Sequence, residues 1–263
     1  MANQNKLLLL LLVAFAAAAA FVISAVSIHD ELIENSLNKD ANSIVGRVRK
    51  LGGVKSYVVS GSSHCDASII LISDVYGFGT PHLRMIADKV AGAGFYAVVP
   101  DFMNGDPFVV GNNQTEWLIR HRPEEVHKHV GPFFDAIKRK GVKRFGAAGF
   151  CWGGKVAVDL LNNLEFVKVG VLLHPTYTSP EDIQKIRVPL AILGGELDKT
   201  ASPALLKQYE DILKANGVEN FVKVYPNVKH GWTLKYNDTD EPAVKSAAEA
   251  HTDMLNWFIK YLK

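Results

Sequence analysis

At 263 residues the chain is long enough for one large domain or two small ones, and without an internal repeat or a Pro/Ser-rich linker a single domain is expected. Its 48% hydrophobic and 21% charged content excludes a disordered chain and supplies a sizeable core. The net charge of +2 comes from 29 basic and 27 acidic side chains with no long run of one sign, which argues against a nucleic-acid partner.

Leu7 to Ile23 is an almost unbroken apolar run behind Lys6, followed by the small residues Ala25-Val26-Ser27. That is the layout of a secretory signal. The run continues to Ile28 and is also long enough to span a bilayer, so residues 1–27 are a signal peptide or a retained signal anchor. A membrane is a partner only in the second case. Asn113-Gln114-Thr115 and Asn237-Asp238-Thr239 are glycosylation sequons, in keeping with an extracellular or vacuolar glycoprotein. The two cysteines, Cys65 and Cys151, are either free or joined in one bridge. Residues 28–50 read as a polar tail leading to a domain over 51–263.

Within that domain Tyr57 to Val59 suggests a short first strand, with a turn at Gly61-Ser62-Ser63. Ser68 to Val75 (SIILISDV) is a continuous β-branched run, as in a strand buried on both faces of a parallel sheet. Pro81 to Ala93 has helical spacing with proline in its first turn, and Tyr96 to Val99 forms the next strand. Phe102 to His121 reads as a long loop of the kind that serves as a lid or binding segment, and Glu124 to Lys140 as an amphipathic helix. Later strands are expected at Val169 to His174, Pro189 to Gly194 and Phe221 to Tyr225. Helices are expected near Pro180 to Ile186 and over Pro203 to Ala215 and Pro242 to Leu262. Alternating strands and helices predict an α/β fold with a mostly parallel sheet covered on both faces.

Between Phe145 and Lys155 lies FGAAGFCWGGK, in which Gly149-Phe150-Cys151-Trp152-Gly153 has the spacing of a nucleophile elbow with cysteine in place of serine. The flanking glycines would let the backbone turn sharply, and the sulfur would sit at a helix N-terminus, where free N–H groups favour a thiolate. Ligand crevices of open parallel sheets lie beyond the carboxyl ends of the strands. The reactive residues there are Asp74, Cys151, Asp198 and His230, with His174 at a fifth position. A thiol nucleophile needs an imidazole to take its proton, and the imidazole needs a carboxylate to fix its tautomer. Cys151, Asp198 and His230 follow the nucleophile, acid, base order of α/β-hydrolases. Glu196 is the alternative acid. His174 reads as a core histidine bonded to a neighbouring loop more readily than as a catalytic one. His121, His127 and His129 read as a solvated face, because no matching cysteine or carboxylate pattern accompanies them.

From about Leu51 to Lys263 the chain resembles the dienelactone hydrolase family, and more closely its plant members, through ILISDVYGFG, GFYAVVPDF, GAAGFCWGGK, VLLHP, LAILGGELD and KHGWTLKYN. The resemblance implies an α/β-hydrolase fold and hydrolysis of a small ester or lactone with no metal and no organic cofactor. Cys151 would attack the carbonyl, His230 shuttle the proton, Asp198 orient His230, and the backbone N–H groups of Val75 and Trp152 form the oxyanion hole. Asp74 stands where the family has a glutamate that contacts the resting thiol, which implies a thiol-tuning role with a shorter side chain. The bacterial lactonase's two substrate-binding arginines have no evident counterpart, and Arg84, Arg120 and Lys235 are candidates by neighbourhood. Two other functions stay open: an endo-1,3;1,4-β-glucanase, a label carried by some plant relatives, and a non-catalytic ligand-binding protein.

Overall fold

A computed structural model describes residues 46–61 and 65–263. The apolar segment expected as a signal, and most of the stretch expected as a tail, lie outside the described residues. Eight strands form one sheet in the order β1-β2-β4-β3-β5-β6-β7-β8. They span β1 Arg47–Leu51, β2 Val54–Ser60, β3 Ala67–Ile72, β4 Tyr96–Pro100, β5 Arg144–Phe150, β6 Val167–Leu173, β7 Leu190–Gly195 and β8 Asn220–Tyr225. β3 to β8 run parallel, while β2 is antiparallel to both β1 and β4.

The first correction concerns the tail. Its last residues, from Arg47, form edge strand β1, paired with β2 from Arg47↔Val58 to Leu51↔Val54. Four of the five β1 residues are exposed, so no alternation of apolar and polar positions marks the strand in the sequence. The turn itself carried the signal: Gly52 and Gly53 have φ of 55° and 93°, as a two-residue hairpin turn of the primed type requires.

Among the described residues there are seven α-helices: α1 Pro81–Gly92, α2 Gln114–Arg120, α3 Gly131–Lys138, α4 Gly153–Asn163, α5 Pro180–Gln184, α6 Pro203–Ala215 and α7 Glu241–Leu262. α2 lies inside the segment expected as loop. It forms because Asn113 caps it, accepting from the N–H groups of Thr115 at 3.0 Å and Glu116 at 3.3 Å, and because Trp117 is buried beneath it. The helix expected over Glu124 to Lys140 is interrupted. Pro123–His129 is a 3-10 segment, and α3 starts afresh at Gly131-Pro132, where proline lacks the N–H to continue the preceding turn and disfavours helix before it.

β5 is the central strand, and its six residues from Phe145 on are fully enclosed. Phe145 points to one face, where its ring meets Phe134 of α3 at 5.4 Å. Gly146 points to the other, where a Cβ would lie 2.7 Å from the Phe258 ring of α7, so α7 rests directly on the strand. Enclosure on both faces is what the uninterrupted apolar runs of β3 to β7 predicted. β3 ends at Ile72, earlier than its apolar run suggests. Asp74 turns the chain, its Oδ1 accepting from Tyr76 N–H at 3.0 Å and its carbonyl from Gly77 N–H at 3.1 Å. Cys65 precedes β3 and Cys151 follows β5, at opposite ends of parallel neighbours paired from Ala67↔Arg144 to Ile72↔Gly149. They are separated by on the order of 20 Å of strand, and they form no disulfide.

Candidate active site

Cys151 occupies the turn between β5 and α4 with a φ of 53°, a left-handed conformation that a side chain with a Cβ adopts only under constraint. The constraint is visible in three backbone bonds: Cys151 N–H donates to Leu173 C=O at 3.0 Å, and its own carbonyl accepts from Gly154 at 2.9 Å and Thr176 at 3.0 Å. The flanking glycines are required for a different reason from the one their spacing suggests. Neither has a positive φ. Instead a Cβ on Gly149 would lie 2.2 Å from the Gly153 carbonyl oxygen, and one on Gly153 would lie 2.3 Å from that of Ile72. Their role is close approach, and the strained dihedral belongs to the cysteine.

Two loops at the same end of the sheet bring in the acid and the base. His230 Nδ1 is 2.7 Å from Asp198 Oδ2. Asp198 Oδ1 accepts from the N–H groups of Thr200 at 2.7 Å and Ala201 at 3.0 Å, which fixes the carboxylate in place. Burial opposes charge on Asp198, but the His230 contact and these two N–H groups outweigh it and hold the carboxyl below its ordinary range. Burial likewise disfavours an imidazolium at His230, yet the bonds and charges of Asp198 and Cys151 prevail and raise it to about 9. His230 Nε2 is buried without a hydrogen-bond partner, and Cys151 is near enough to help hold the imidazole proton. Glu196 turns away and accepts from Asn227 N–H at 2.9 Å, so of the two candidate acids it is Asp198 that meets the histidine.

A cavity of about 310 Å³ opens over Cys151 and His230. Val75 and Tyr76 after β3, Thr176 and Tyr177 after β6, and Thr200 after β7 form its walls, with Phe108 from the segment before α2 and Gln114 from the first turn of α2. Lys235 is its cation. It lies 3.5 Å from Asp74 Oδ2 and 4.0 Å from the centre of the Tyr76 ring. Arg84 is instead spread over Tyr57 and Phe78, and Arg120 pairs with Asp106 at the surface.

A profile of the dienelactone hydrolase family matches residues 54–262. The chain belongs to that family. Among the chain's curated relatives, an endo-1,3;1,4-β-D-glucanase of Zea mays is 38% identical over 163 residues, 62% of this chain and 53% of the maize protein. The alignment thus spans about half the length of that relative. A carboxymethylenebutenolidase homologue of Xenopus tropicalis is 30% identical over 82% of this chain and 91% of its own. Among solved structures, a putative dienelactone hydrolase from Klebsiella pneumoniae superposes with a TM-score of 0.69 at 19% identity, covering 83% of this chain and all of the other. The fold is that of the α/β-hydrolases.

The remaining expected residues divide. Val75 lines the pocket. Trp152 is buried beside it, donating from its indole to the His121 carbonyl at 2.9 Å and packing edge-on against Trp117. Its backbone sits at the start of α4, where N–H groups lack partners within the helix. Asp74 is enclosed, with its oxygens engaged by Tyr76 N–H and Lys235 rather than by the sulfur. Burial raises its carboxyl above the ordinary range against the pull of Lys235. His174 is a wholly buried core residue: Nε2 lies 2.7 Å from Thr233 Oγ1, its ring stands edge-on to His230 at 5.0 Å, and burial holds it neutral. The group at hydrogen-bonding distance from the sulfur, Thr176 Oγ1 at 3.7 Å, went unread in the sequence. Its position directly after a strand, in His174-Pro175-Thr176, was the available signal.

Proposed function

We propose that the chain hydrolyses a small carboxylic ester or lactone through an acyl-thioester on Cys151. His230 Nε2 takes the thiol proton while Asp198 fixes the ring through Nδ1, and the sulfur attacks the carbonyl carbon. The resulting oxyanion turns toward the backbone N–H groups of Trp152 and Val75. Collapse breaks the ester C–O bond, and His230 returns the proton to the leaving oxygen. In a lactone that oxygen stays tethered to the acyl group. Water then attacks the thioester with His230 as base, releasing the acid and restoring the thiol. The observation that carries this reading is the His230–Asp198 contact of 2.7 Å with Cys151 and His230 in the walls of one cavity. Cys151→Ala should fold normally and lose turnover of aryl esters and lactones, and unchanged turnover rejects the mechanism.

The name of the maize relative motivates a second assay, for mixed-linkage glucan. Glycoside hydrolysis uses two carboxyl groups roughly 5 to 9 Å apart across the sugar. No aspartate or glutamate lines this cavity, Asp198 is spent behind His230, and Glu196 faces Asn227. The thiol mechanism therefore has the stronger support. Glucan cleavage that survives Cys151→Ala would reverse that ranking. Passage through the secretory pathway is proposed from residues 1–27, with Asn113 and Asn237 both exposed for glycosylation. A mobility shift on glycosidase treatment tests it.

A further inference from the structure

Among the described residues five non-glycine positions have φ in the left-handed region: Asn104, Asn227, Cys151 at 53°, His174 at 40° and Tyr177 at 61°. Asparagine tolerates that conformation. Histidine is also enriched there, but cysteine and tyrosine are not, and their strain persists only where the surroundings over-determine it. All three bracket one contact. His174 and Tyr177 flank the dipeptide Pro175-Thr176, and Thr176 meets Cys151 twice, through N–H to the cysteine carbonyl at 3.0 Å and through Oγ1 to the sulfur at 3.7 Å. Both ends of this loop are pinned. His174 N–H donates to Leu193 C=O at 2.8 Å and its ring engages Thr233, while the Thr178 carbonyl accepts from the Tyr209 hydroxyl at 2.8 Å.

We propose that Thr176 is a further catalytic residue of this site, its hydroxyl donating to the Cys151 sulfur and holding it turned toward the cavity. The proposal rests on the reading of Cys151 as nucleophile. It assigns to a threonine from the loop after β6 the contact that the family resemblance implied for Asp74, whose oxygens are committed to Tyr76 and Lys235. A hydroxyl is suited to the task because it can follow the sulfur: it donates while the sulfur is anionic and lets go as the sulfur bonds to carbon. The titratable groups facing the sulfur are His230 and Tyr177, and Thr176 adds a donor that does not itself titrate.

The test compares T176V, which keeps the branched shape and the backbone contact, with T176S, which keeps the hydroxyl. The reading is the pH profile of Cys151 alkylation by iodoacetamide, with peptide mapping to separate it from Cys65. T176V should displace the profile toward alkaline pH by about one unit and lower kcat/KM for an aryl ester about tenfold, with T176S restoring most of both. A T176V profile that superimposes on the parent's overturns the proposal, as does a loss of thermal stability or a rise in KM with no movement of the profile. If T176V does not fold, T176A is read in the same way. Loss of turnover in C151A with an unmoved T176V profile rejects only the threonine, whereas full turnover in C151A rejects both readings.

Discussion

His230 Nδ1 and Asp198 Oδ2 stand 2.7 Å apart although 32 residues of chain separate them. β8 lies between the two in sequence, and its parallel pairing with β7 returns the chain to the same end of the sheet. The pairing of strands therefore brings a buried carboxylate against Nδ1 of a cavity-lining histidine and leaves its Nε2 without a hydrogen-bond partner.

Asp198→Asn should preserve the fold and lower kcat by on the order of a thousandfold or more, because an amide no longer selects the Nδ1–H tautomer nor stabilises the imidazolium. Glu196→Gln should leave kcat within about twofold, since its partner is a backbone N–H at the surface. Steady-state kinetics of the pair separates the two acids, and equal losses would remove Asp198 from its role.

Stability should fall as pH rises from about 6.5 to about 9. His230 is raised from 6.5 to about 9 in the folded protein, so it contributes fully below the unfolded value and loses that contribution through the folded one. Asp198 is lowered from 3.8, so its share is present above that value and disappears as acid protonates it. Urea unfolding at intervals across this range should show the alkaline fall in the parent and a flatter line in His230→Gln. In Cys151→Ala the fall should still begin near 6.5 but end at lower pH and be smaller, since the sulfur helps to hold the imidazole proton.

Gly153→Ala should destabilise the fold by roughly 3 kcal/mol. The added Cβ would lie 2.3 Å from the Ile72 carbonyl oxygen and 2.6 Å from that of Ser73, both backbone atoms of a central strand and its exit. The same substitution at Gly92, where nothing lies within 4 Å, is the control. Urea midpoints of the two variants test the difference.

Lys155→Met should cost roughly 3 kcal/mol. The ammonium is almost enclosed between Asp159 at 2.8 Å and Asp182 at 2.9 Å, and its removal leaves two carboxylates without their cation. Because Asp182 also closes the capping box with Ser179 at the start of α5, the loop carrying Thr176 should loosen. Faster amide exchange over residues 175–182 than in the parent is the expected signature, and an unchanged exchange pattern would dissociate the ion cluster from the loop.

What the sequence revealed, and what it hid, follows from where information resides in an α/β chain. The cysteine turn was legible because glycines on either side of it sit between an apolar run and a helical one. Asp198 and His230 were legible because each lies in the loop that follows a late strand. β1 was not, since an edge strand with Arg47, Arg49 and Lys50 exposed has no buried face to impose a period. α2 was hidden by its shortness and by Gly111 before it, and its cap, Asn113, was read as a sequon instead. Asp74 shows a third kind of loss. Its place in the chain was clear, but its partner, Lys235, comes from a loop far downstream, and no local pattern encodes that meeting.

The placement of the two thiols at opposite ends of β3 and β5 has a chemical consequence. A bridge needs Cα atoms within about 7 Å, so no internal sulfur can shield Cys151 against peroxide. Its oxidation must run through a sulfenic acid, or through a mixed disulfide with a small external thiol, and both are returned to the thiol by reductant. Susceptibility is then governed by access through the cavity, whose lining includes the exposed Gln114 and Lys235.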